Sequence, residues 1–376
     1  MNSKERVLTA ISHTEPDRVP IDFGATMETT IHARAYQSLR KNLGLCKGKP
    51  LIEMLKTAGF VRPDEEVQRH LHVDVRGVFP NRSYTTGQEE RLADEFGIGW
   101  RLPDEGGLYY DICSYPMAEM ELDDIEQYPF PDPRSHTLFE NIDAMLSGIC
   151  GEEFPVVFDN CFGNGIFQTC NQLMGYDNFL AAMALSEPKA DYLMDRILEL
   201  KMQFWDEVLT RYGDRIDIVK ELDDMGSQIN LLISPEMYRQ LIKPRLKKLV
   251  DFIKTKAPHV RMMMHSCGSV RKIIPDLIDC GVEILNPVQY TAADMDPAAL
   301  KTEFGNDLTF WGGGIDTQKV LPAGTAQEVK DEVKRMLDIF MPGGGYVFAP
   351  VHAIQADVPV ENMLAMWETV QEHGRY

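Results

Sequence analysis

A histidine and a cysteine two positions apart, His265 and Cys267, are the residues in this sequence best suited to bind a metal ion. They follow the run 260–264, which is apolar apart from Arg261, and directly precede Gly268, so they stand where a buried strand is expected to end. Imidazole nitrogen and thiolate sulfur are donors that suit zinc, and side chains at i and i+2 of an extended segment point the same way. The pair predicts part of a zinc site, although the spacing also fits a half-buried cysteine beside a hydrogen-bonded histidine.

The strands that would position these side chains come from eight apolar runs, mostly separated by helical stretches. The runs cover residues 19–24, 73–79, 155–160, 216–221, 260–265, 282–287, 308–314 and 346–350. This alternation predicts a single (β/α)8 barrel over residues 1–376, with a polar insertion at about 80–135. Barrel strands end at one common face, so we expect His265, Cys267 and His352 to meet there. Three such ligands leave a fourth position open for water or substrate, as in catalytic zinc sites.

The intervening helices are predicted from caps and apolar stripes. Asn2 and Glu5 form a capping box for residues 4–12, and Thr325 and Glu328 form another for 325–340. A long helix beginning near Ser234 should kink at Pro244. Further helices are expected at about 32–58, 186–211, 269–280 and 360–372.

Acidic side chains follow the fourth predicted strand. Glu221 ends that strand and is a candidate to close the zinc site, although a salt bridge would explain it equally well. Asp223, Asp224 and Gln228 come just beyond it, where they would either act on a substrate or cap the next turn. We therefore take the three carboxylates as candidate catalytic groups and Gln228 as a candidate substrate contact.

Aromatic side chains suggest a substrate pocket near the same face. Tyr109, Tyr110, Phe162 and Trp311 are the candidates, and Asn286 ends the strand after His265. An aromatic lining favours an aromatic compound as the substrate. Asn286 is a candidate for a polar contact with it.

Composition excludes several classes of partner. The 376 residues carry a net charge of −20, which repels nucleic acids and anionic membranes. Seven scattered cysteines without a C-x-x-C pair favour a reducing compartment over a disulfide framework. No apolar signal core or run of transmembrane length is present, so a cytoplasmic location is expected.

Several motifs resemble the uroporphyrinogen decarboxylase superfamily, and the likeness covers nearly the whole chain. They are KERVLTAI at 4–11, PDRVP at 16–20, SPEMY at 234–238, HSCG at 265–268, GGGYVFAP at 343–350 and VPVENM at 358–363. The resemblance implies a distorted (β/α)8 barrel with its cleft at the carboxyl ends of the strands.

Within that superfamily the sequence looks closer to the zinc-dependent corrinoid methyltransferases, which carry H-x-C and a later cysteine. His265 and Cys267 match the first two positions, whereas the third falls on His352. The decarboxylases carry an arginine-rich segment after the first strand, but residues 22–33 contain no arginine here. The departure at His352 leaves a possible ligand and puts thiol specificity in question.

The resemblance therefore implies a zinc enzyme that exchanges a methyl group between a small molecule and a corrinoid carried by a partner protein. A homodimer is also expected. The small molecule would be a methoxylated compound or a thiol, and the candidate aromatic lining slightly favours a methoxylated aromatic compound. One alternative is a metal-free decarboxylase acting in tetrapyrrole metabolism through Asp223 or Glu221. Another is a non-catalytic barrel that binds a corrinoid protein or a tetrapyrrole. Metal content separates the first from the second, and corrinoid binding without turnover would favour the third.

Overall fold

The computed structural model describes residues 1–86, 91–103, 107–160 and 162–376. Its strands are β1 Ile31–His32, β2 Ile52–Leu55, β3 Phe60–Arg62, β4 Arg76–Val78, β5 Tyr84–Thr86, β6 Leu92–Asp94, β7 Gly99–Arg101, β8 Asp111–Ser114, β9 Val156–Asp159, β10 Ile218–Leu222, β11 Arg261–His265, β12 Ile284–Asn286, β13 Thr309–Trp311 and β14 Tyr346–Val347.

The helices pack around these strands. They are α1 Ser3–Ile11, α2 Ala33–Leu43, α3 Glu65–His70, α4 Leu122–Glu126, α5 His136–Phe139, α6 Ile142–Ser147, α7 Ile166–Met174, α8 Tyr176–Ala184, α9 Pro188–Tyr212, α10 Pro235–Met237, α11 Lys243–Lys256, α12 Ile274–Cys280, α13 Pro297–Phe304, α14 Val320–Ala323, α15 Ala326–Phe340 and α16 Val360–His373. Among the described residues, no helix combines the length and the apolar character needed to cross a membrane.

Seven strands form one parallel sheet in the order β14-β13-β12-β11-β10-β9-β4. The segment around Ile21 closes it. Ile21 bridges Phe348 in parallel beyond the end of β14, and its carbonyl accepts a hydrogen bond from the Asp74 amide near β4. The predicted (β/α)8 barrel is confirmed, with this segment as the eighth stave.

The first predicted strand, 19–24, is shorter than expected. Its Pro20 has no amide hydrogen to donate and its Gly24 adopts a φ of 91°, so regular pairing is limited to the Ile21 bridge. The predicted helix at 32–58 is also corrected, because it ends at Leu43. Gly44 caps it in the left-handed conformation, and residues 52–62 form the antiparallel pair β2 and β3 instead.

The barrel interior is filled by one apolar cluster that includes Ile218, Met263 and Trp311. Val7 and Ile11 of α1 belong to the same cluster, so α1 covers the amino-terminal end of the barrel. A second, larger cluster lies between the strands and the outer helices. Burial on both faces is what a parallel barrel strand requires, and it leaves the carboxyl ends of the strands for polar groups.

Two capping boxes predicted from the sequence are present, at Asn2 with Glu5 and at Thr325 with Glu328. The kink expected at Pro244 takes the form of a π-helical segment, Tyr238–Ile242, between α10 and α11. The expected helix at 186–211 begins at Pro188 because Ser186 has a φ of 54°. The helix expected at 269–280 begins with a 3-10 turn, Arg271–Ile273, before α12.

Candidate metal centre

Strand β11 delivers His265 to the carboxyl-terminal face of the barrel. The strand pairs in parallel with β10 and β12, which places His265 opposite Leu222 on one side and Asn286 on the other. The chain then turns sharply through Gly268, whose φ is 83°. A Cβ at Gly268 would lie 2.6 Å from the carbonyl carbon of Gly226, so a larger residue would break the contact between the loops after β10 and β11.

The three side chains predicted as zinc ligands come together. One donor atom from each of His265, Cys267 and His352 lies within 4.8 Å of the other two. The Cys267 Sγ is 3.3 Å from the His265 Nε2, and the two imidazole rings are 6.0 Å apart between centroids. Zinc bonds of about 2.0–2.3 Å in a tetrahedron place donors about 3.3–3.8 Å apart. These residues therefore fit zinc in donor type and nearly in spacing.

Asn286 fixes the orientation of the His265 ring. Its Nδ2 donates to the Trp311 carbonyl at 2.9 Å, so its Oδ1 must face the His265 Nδ1, which is 2.6 Å away. The Nδ1 then carries the proton, and the lone pair of Nε2 points towards Cys267. This is the tautomer that a metal-binding histidine needs, and it is set by a neighbouring amide. Asn286 therefore occupies a supporting position beside the proposed ligand.

Asp224 borders the ligand cluster. Its Oδ1 accepts a hydrogen bond from the Cys267 amide at 2.8 Å and lies 3.7 Å from the His265 Nε2. Burial raises the pKa of the Cys267 thiol well above its usual value, and the carboxylates of Asp224 and Glu28 raise it further. Burial, with the neighbouring His265, lowers the pKa of His352 to about 4. His352 is therefore a neutral imidazole at physiological pH, the form that binds metals.

A buried group of charges lies on the barrel side of β10, and we call Glu28, Asp159 and Lys220 the inner ion group. The Lys220 Nζ is 2.7 Å from a Glu28 oxygen and 2.8 Å from an Asp159 oxygen. Burial would raise the pKa of Glu28, but Lys220, assisted by His265 and His352, lowers it. Burial and the Glu28 charge raise the pKa of Asp159. Sequence reasoning missed this group, although a lysine inside an apolar strand was a visible signal.

Glu221 does not face the cluster, which corrects its assignment as the residue that closes the site. Its carboxylate accepts hydrogen bonds from Lys201 at 2.7 Å and Trp205 at 2.5 Å, both on α9 outside the barrel. Asn160 donates a third bond at 2.6 Å. Side chains alternate along a strand, so Glu221 points away from the barrel axis while Lys220 points towards it.

Asp223 also faces away from the ligands. It accepts hydrogen bonds from the Phe167 and Gln168 amides in the first turn of α7, at 3.0 and 2.8 Å. Burial raises its pKa to about 7 despite these bonds. From the sequence, Asp223 was expected either to act on a substrate or to cap the next turn, whereas it caps the first turn of α7 instead.

The predicted aromatic lining is not assembled. Trp311 is fully buried inside the barrel, where its Nε1 donates to Asp22 at 2.8 Å. Phe162 is stacked on Phe204 in the outer core, with ring centroids 5.5 Å apart. Tyr109 is partly exposed and lies against His32, with ring centroids 5.8 Å apart.

The two remaining predicted substrate contacts lie elsewhere. The Tyr110 amide donates to the Thr57 carbonyl at 2.8 Å, and Gln228 is exposed on the loop after β10. The structure therefore brings together His265, Cys267, His352, Asp224 and Asn286 from the predicted set. It does not gather the four aromatic side chains around them.

Comparison with known proteins gives a family and a fold. The family described as uroporphyrinogen decarboxylase (URO-D) matches residues 92–373. The methylcobamide:CoM methyltransferase of Methanosarcina barkeri is 31% identical over 150 residues, which is 40% of this chain and 40% of that protein. A uroporphyrinogen decarboxylase of Chlorobium phaeobacteroides is 26% identical over 200 residues, 52% of this chain and 53% of that one. The chain thus spans about half or less of the length of these curated relatives.

A solved structure covers more of the chain. A methyltransferase from Methanosarcina mazei matches 99% of both chains with a TM-score of 0.65 at 18% identity. At that identity the match supports the barrel fold and leaves the chemistry to be argued from the residues.

Proposed function

Because the chain belongs to the uroporphyrinogen decarboxylase family, we propose that it is a zinc-dependent methyltransferase. It would move a methyl group between a small methylated substrate or a thiol and a corrinoid carried by a partner protein. The observation that carries this proposal is the convergence of His265, Cys267 and His352, whose donor atoms lie within 4.8 Å of one another. Two nitrogens and one sulfur from the protein leave a fourth position for a substrate atom.

Zinc bound there would act as a Lewis acid, either polarising the oxygen of a methyl ether or lowering the pKa of a bound thiol. The protein supplies the rest of the arrangement. Asn286 orients His265 so that its Nε2 is free to bind a metal. Asp224 accepts a hydrogen bond from the Cys267 backbone amide and so holds the turn at Cys267. The buried Glu28 places a negative charge near the two histidines, which favours a cation at this position.

Methyl transfer is favoured over decarboxylation by three features of the chain. The H-x-C pair is present, and the similarity to a methylcobamide:CoM methyltransferase is consistent with it. No arginine occurs between residues 22 and 33, and the first one after them, Arg34, is exposed on α2. A metal-free decarboxylase would need Asp223 or Glu221 at the site, and both side chains have partners that face away from it.

The histidine at position 352 favours an ether over a thiol as the small substrate. His352 is neutral, so this donor set carries one negative charge fewer than a His-Cys-Cys set. The less negative site favours polarising an ether oxygen over activating a thiol. His352→Cys should retain zinc and shift the preference towards thiols.

The test is zinc content together with methyl transfer to a cob(I)amide protein under anaerobic conditions. Wild type should bind one zinc per chain, and Cys267→Ser and His352→Ala should lose most of the metal and the transfer while remaining folded. Exposed residues of the same types supply matched controls, Cys113→Ser and His136→Ala, which should behave like wild type. Full zinc occupancy and unchanged transfer in His352→Ala would remove that residue from the site. A metal-free wild type that decarboxylates uroporphyrinogen would overturn the proposal.

A further inference from the structure

One buried amide side chain at the carboxyl-terminal face of the barrel is only half satisfied. Six asparagine and glutamine side chains are buried among the described residues, and in five of them the amide nitrogen donates to an acceptor in the protein. These five are Gln68, Asn160, Asn171, Asn286 and Asn362. The exception is Gln289, in the loop after β12. It is 7% exposed, and its Nε2 has no hydrogen-bond partner among the described residues. A buried polar group in this state calls for a partner from outside the protein.

The orientation of the Gln289 amide is fixed by its neighbour. The Gly268 amide donates to the Gln289 Oε1 at 2.8 Å, and a backbone amide can only donate, so the oxygen faces Gly268 and the nitrogen faces away. Gly268 directly follows Cys267, whose own amide donates to Asp224 at 2.8 Å. Side chains from the loops after β10 and β12 thus hold two successive amides of this turn. The NH2 group of Gln289 remains as a pair of free donors beside it.

Gln289 is close enough to the candidate metal centre for one small molecule to contact both. Only a few covalent bonds separate the Cys267 Sγ from the Gly268 nitrogen, so the hydrogen bond to Gly268 keeps the Gln289 Nε2 within about 10 Å of that sulfur. A zinc–sulfur bond, a zinc–oxygen bond, two neighbouring oxygens on one ring and a hydrogen bond together also span about 10 Å at most. A substrate no larger than a substituted methoxybenzene therefore reaches from the zinc to Gln289.

The charges around this turn favour an uncharged partner for the amide. The Asp224 carboxylate binds the amide next to the one that Gln289 binds. Among the described residues, neither Asp224 nor Gln289 is hydrogen-bonded to or paired with a lysine or an arginine. An anion placed against Gln289 would therefore meet a nearby carboxylate without a cationic side chain to offset it. An amide NH2 donates hydrogen bonds without adding charge, which suits an oxygen that is itself uncharged.

We propose that the Gln289 Nε2 donates a hydrogen bond to an uncharged oxygen, a hydroxyl or a second ether, on the small substrate whose reacting atom binds at the candidate metal centre. The bond orients the substrate so that its methylated oxygen or its thiol faces the fourth position of the zinc. This inference rests on the proposed function and narrows the substrate class to molecules that carry an oxygen acceptor beside the reacting group. Gln289 is then a residue that determines specificity.

The experiment measures binding of matched probes to the zinc-loaded protein by calorimetry. Three probes share a methoxybenzene: ortho-methoxyphenol carries the uncharged oxygen, ortho-methylanisole replaces it with a methyl group, and ortho-methoxybenzoate replaces it with an anion. Mercaptoethanol, propanethiol and mercaptoacetate form the corresponding set for a thiol. In at least one set, wild type should bind the oxygen probe about 5- to 20-fold more tightly than the methyl probe, as expected for one hydrogen bond. It should also bind the oxygen probe more tightly than the anion.

Gln289→Glu keeps an oxygen for the Gly268 amide and removes the NH2 donors, so it should abolish the preference for the oxygen probe while zinc remains bound. A residue that only anchored the turn would leave that preference unchanged in this variant. Gln289→Met removes the anchor as well, so it should abolish the preference and also weaken zinc binding. Gln318→Glu adds the same charge at an exposed position in the loop after β13 and should retain the full preference.

Four results would overturn the inference: no preference in wild type, a preference that survives in either Gln289 variant at full zinc occupancy, tighter binding of the anion than of the oxygen probe, or a wild type that binds none of the probes. If Gln289→Glu fails to fold, Gln289→Met decides at saturating zinc. Methyl transfer is measured on the same proteins. A Gln289-dependent preference without methyl transfer would reject the proposed function alone, and methyl transfer without any preference would reject the role of Gln289 alone.

Discussion

Two buried groups of lysine and carboxylate side chains lie on opposite faces of strand β10, and they differ in charge balance. Glu221 faces outwards to Lys201 on α9, and we call these two residues the outer ion pair. The adjacent Lys220 faces inwards and is shared by Glu28 and Asp159. The outer pair balances one positive charge with one negative charge, and Asn160 and Trp205 add hydrogen bonds to the carboxylate. The inner ion group has one carboxylate more than it has ammonium groups.

The extra carboxylate distinguishes the inner ion group, which is suited to a nearby bound cation, from the outer ion pair, which is structural. The outer pair has satisfied partners, so nothing about it calls for a ligand. In the inner group, the shared lysine lowers the pKa of Glu28, while burial raises the pKa of Asp159. The remaining negative charge faces His265 and His352, where a bound cation would balance it. We therefore expect changes to the outer pair to affect stability, and changes to the inner side to affect metal binding and pH dependence.

The largest effect is expected from Lys201→Met. This change leaves Glu221 buried without its ammonium partner, and breaking a buried ion pair on one side costs about 3–5 kcal/mol of unfolding free energy. Urea denaturation measures the loss. Zinc bound per folded chain should remain that of wild type, because the outer pair lies behind the strand. A variant with normal stability and lost zinc would reverse the distinction between the two faces.

We also expect carboxyl groups inside the barrel to make the stability depend on pH, and Asp22→Asn tests this for Asp22. Burial raises the pKa of Asp22 to about 6 although Trp311 and the Ala25 amide bind its carboxylate. A raised carboxyl pKa means that the folded chain holds this proton at a pH where the unfolded chain has lost it. Its contribution to stability is therefore full below about pH 4 and is lost by about pH 6, up to about 3 kcal/mol.

Asn mimics the protonated carboxyl, so the stability of Asp22→Asn relative to wild type should improve as the pH rises through that window. Urea denaturation of both proteins at about pH 4 and about pH 7 measures the change. A difference that stays constant across this range would show that Asp22 is ionised at both values.

Smaller effects are expected from the two asparagines that flank the strands, on zinc affinity for Asn286 and on stability for Asn160. Asn286→Leu removes the acceptor that orients His265, and the loss of such a partner typically lowers metal affinity about 10- to 100-fold. Asn160→Leu removes the donor to Glu221 on the outer side and should cost about 1–3 kcal/mol of stability without changing zinc affinity. Competition with a chromophoric chelator measures the affinities. Equal zinc affinities in the two variants would contradict the assigned role of Asn286.

The two faces of β10 also show which features of the fold and the site can be predicted from the sequence. The barrel and the convergence of His265, Cys267 and His352 follow from strand ends that share one face, and the structure bears out that geometry. The direction of Glu221 did not follow, because Ile218 and Val219 are both fully buried on opposite sides of the strand. An apolar pattern on both faces does not say which face is inward, and a shift of one residue exchanges Lys220 for Glu221.

Contacts between segments that are distant in the sequence could not be predicted either. Glu28 lies 192 positions before Lys220 in the sequence, and the link from Asn286 to His265 depends on the pairing of β11 with β12. Charge partners across a barrel are a property of the assembled fold, so residue types and spacing alone did not reveal them.

The smallest expected effect on zinc affinity is tested with the same substitution on the two faces, Glu28→Gln and Glu221→Gln. Glu28→Gln removes the negative charge near His265 and His352 and keeps a polar side chain for Lys220. Asp159 remains to neutralise that lysine, so the fold should tolerate the change. Zinc affinity should fall by about tenfold, the lower end of the range for groups that support a metal site.

Glu221→Gln leaves Lys201 without its carboxylate, so it should lower stability and leave zinc affinity unchanged. Chelator competition and urea denaturation of both variants give the four values needed. A zinc affinity that falls equally in both would mean that the charge acts through the strand, and the orientation of the side chains would then no longer explain which carboxylate serves the site.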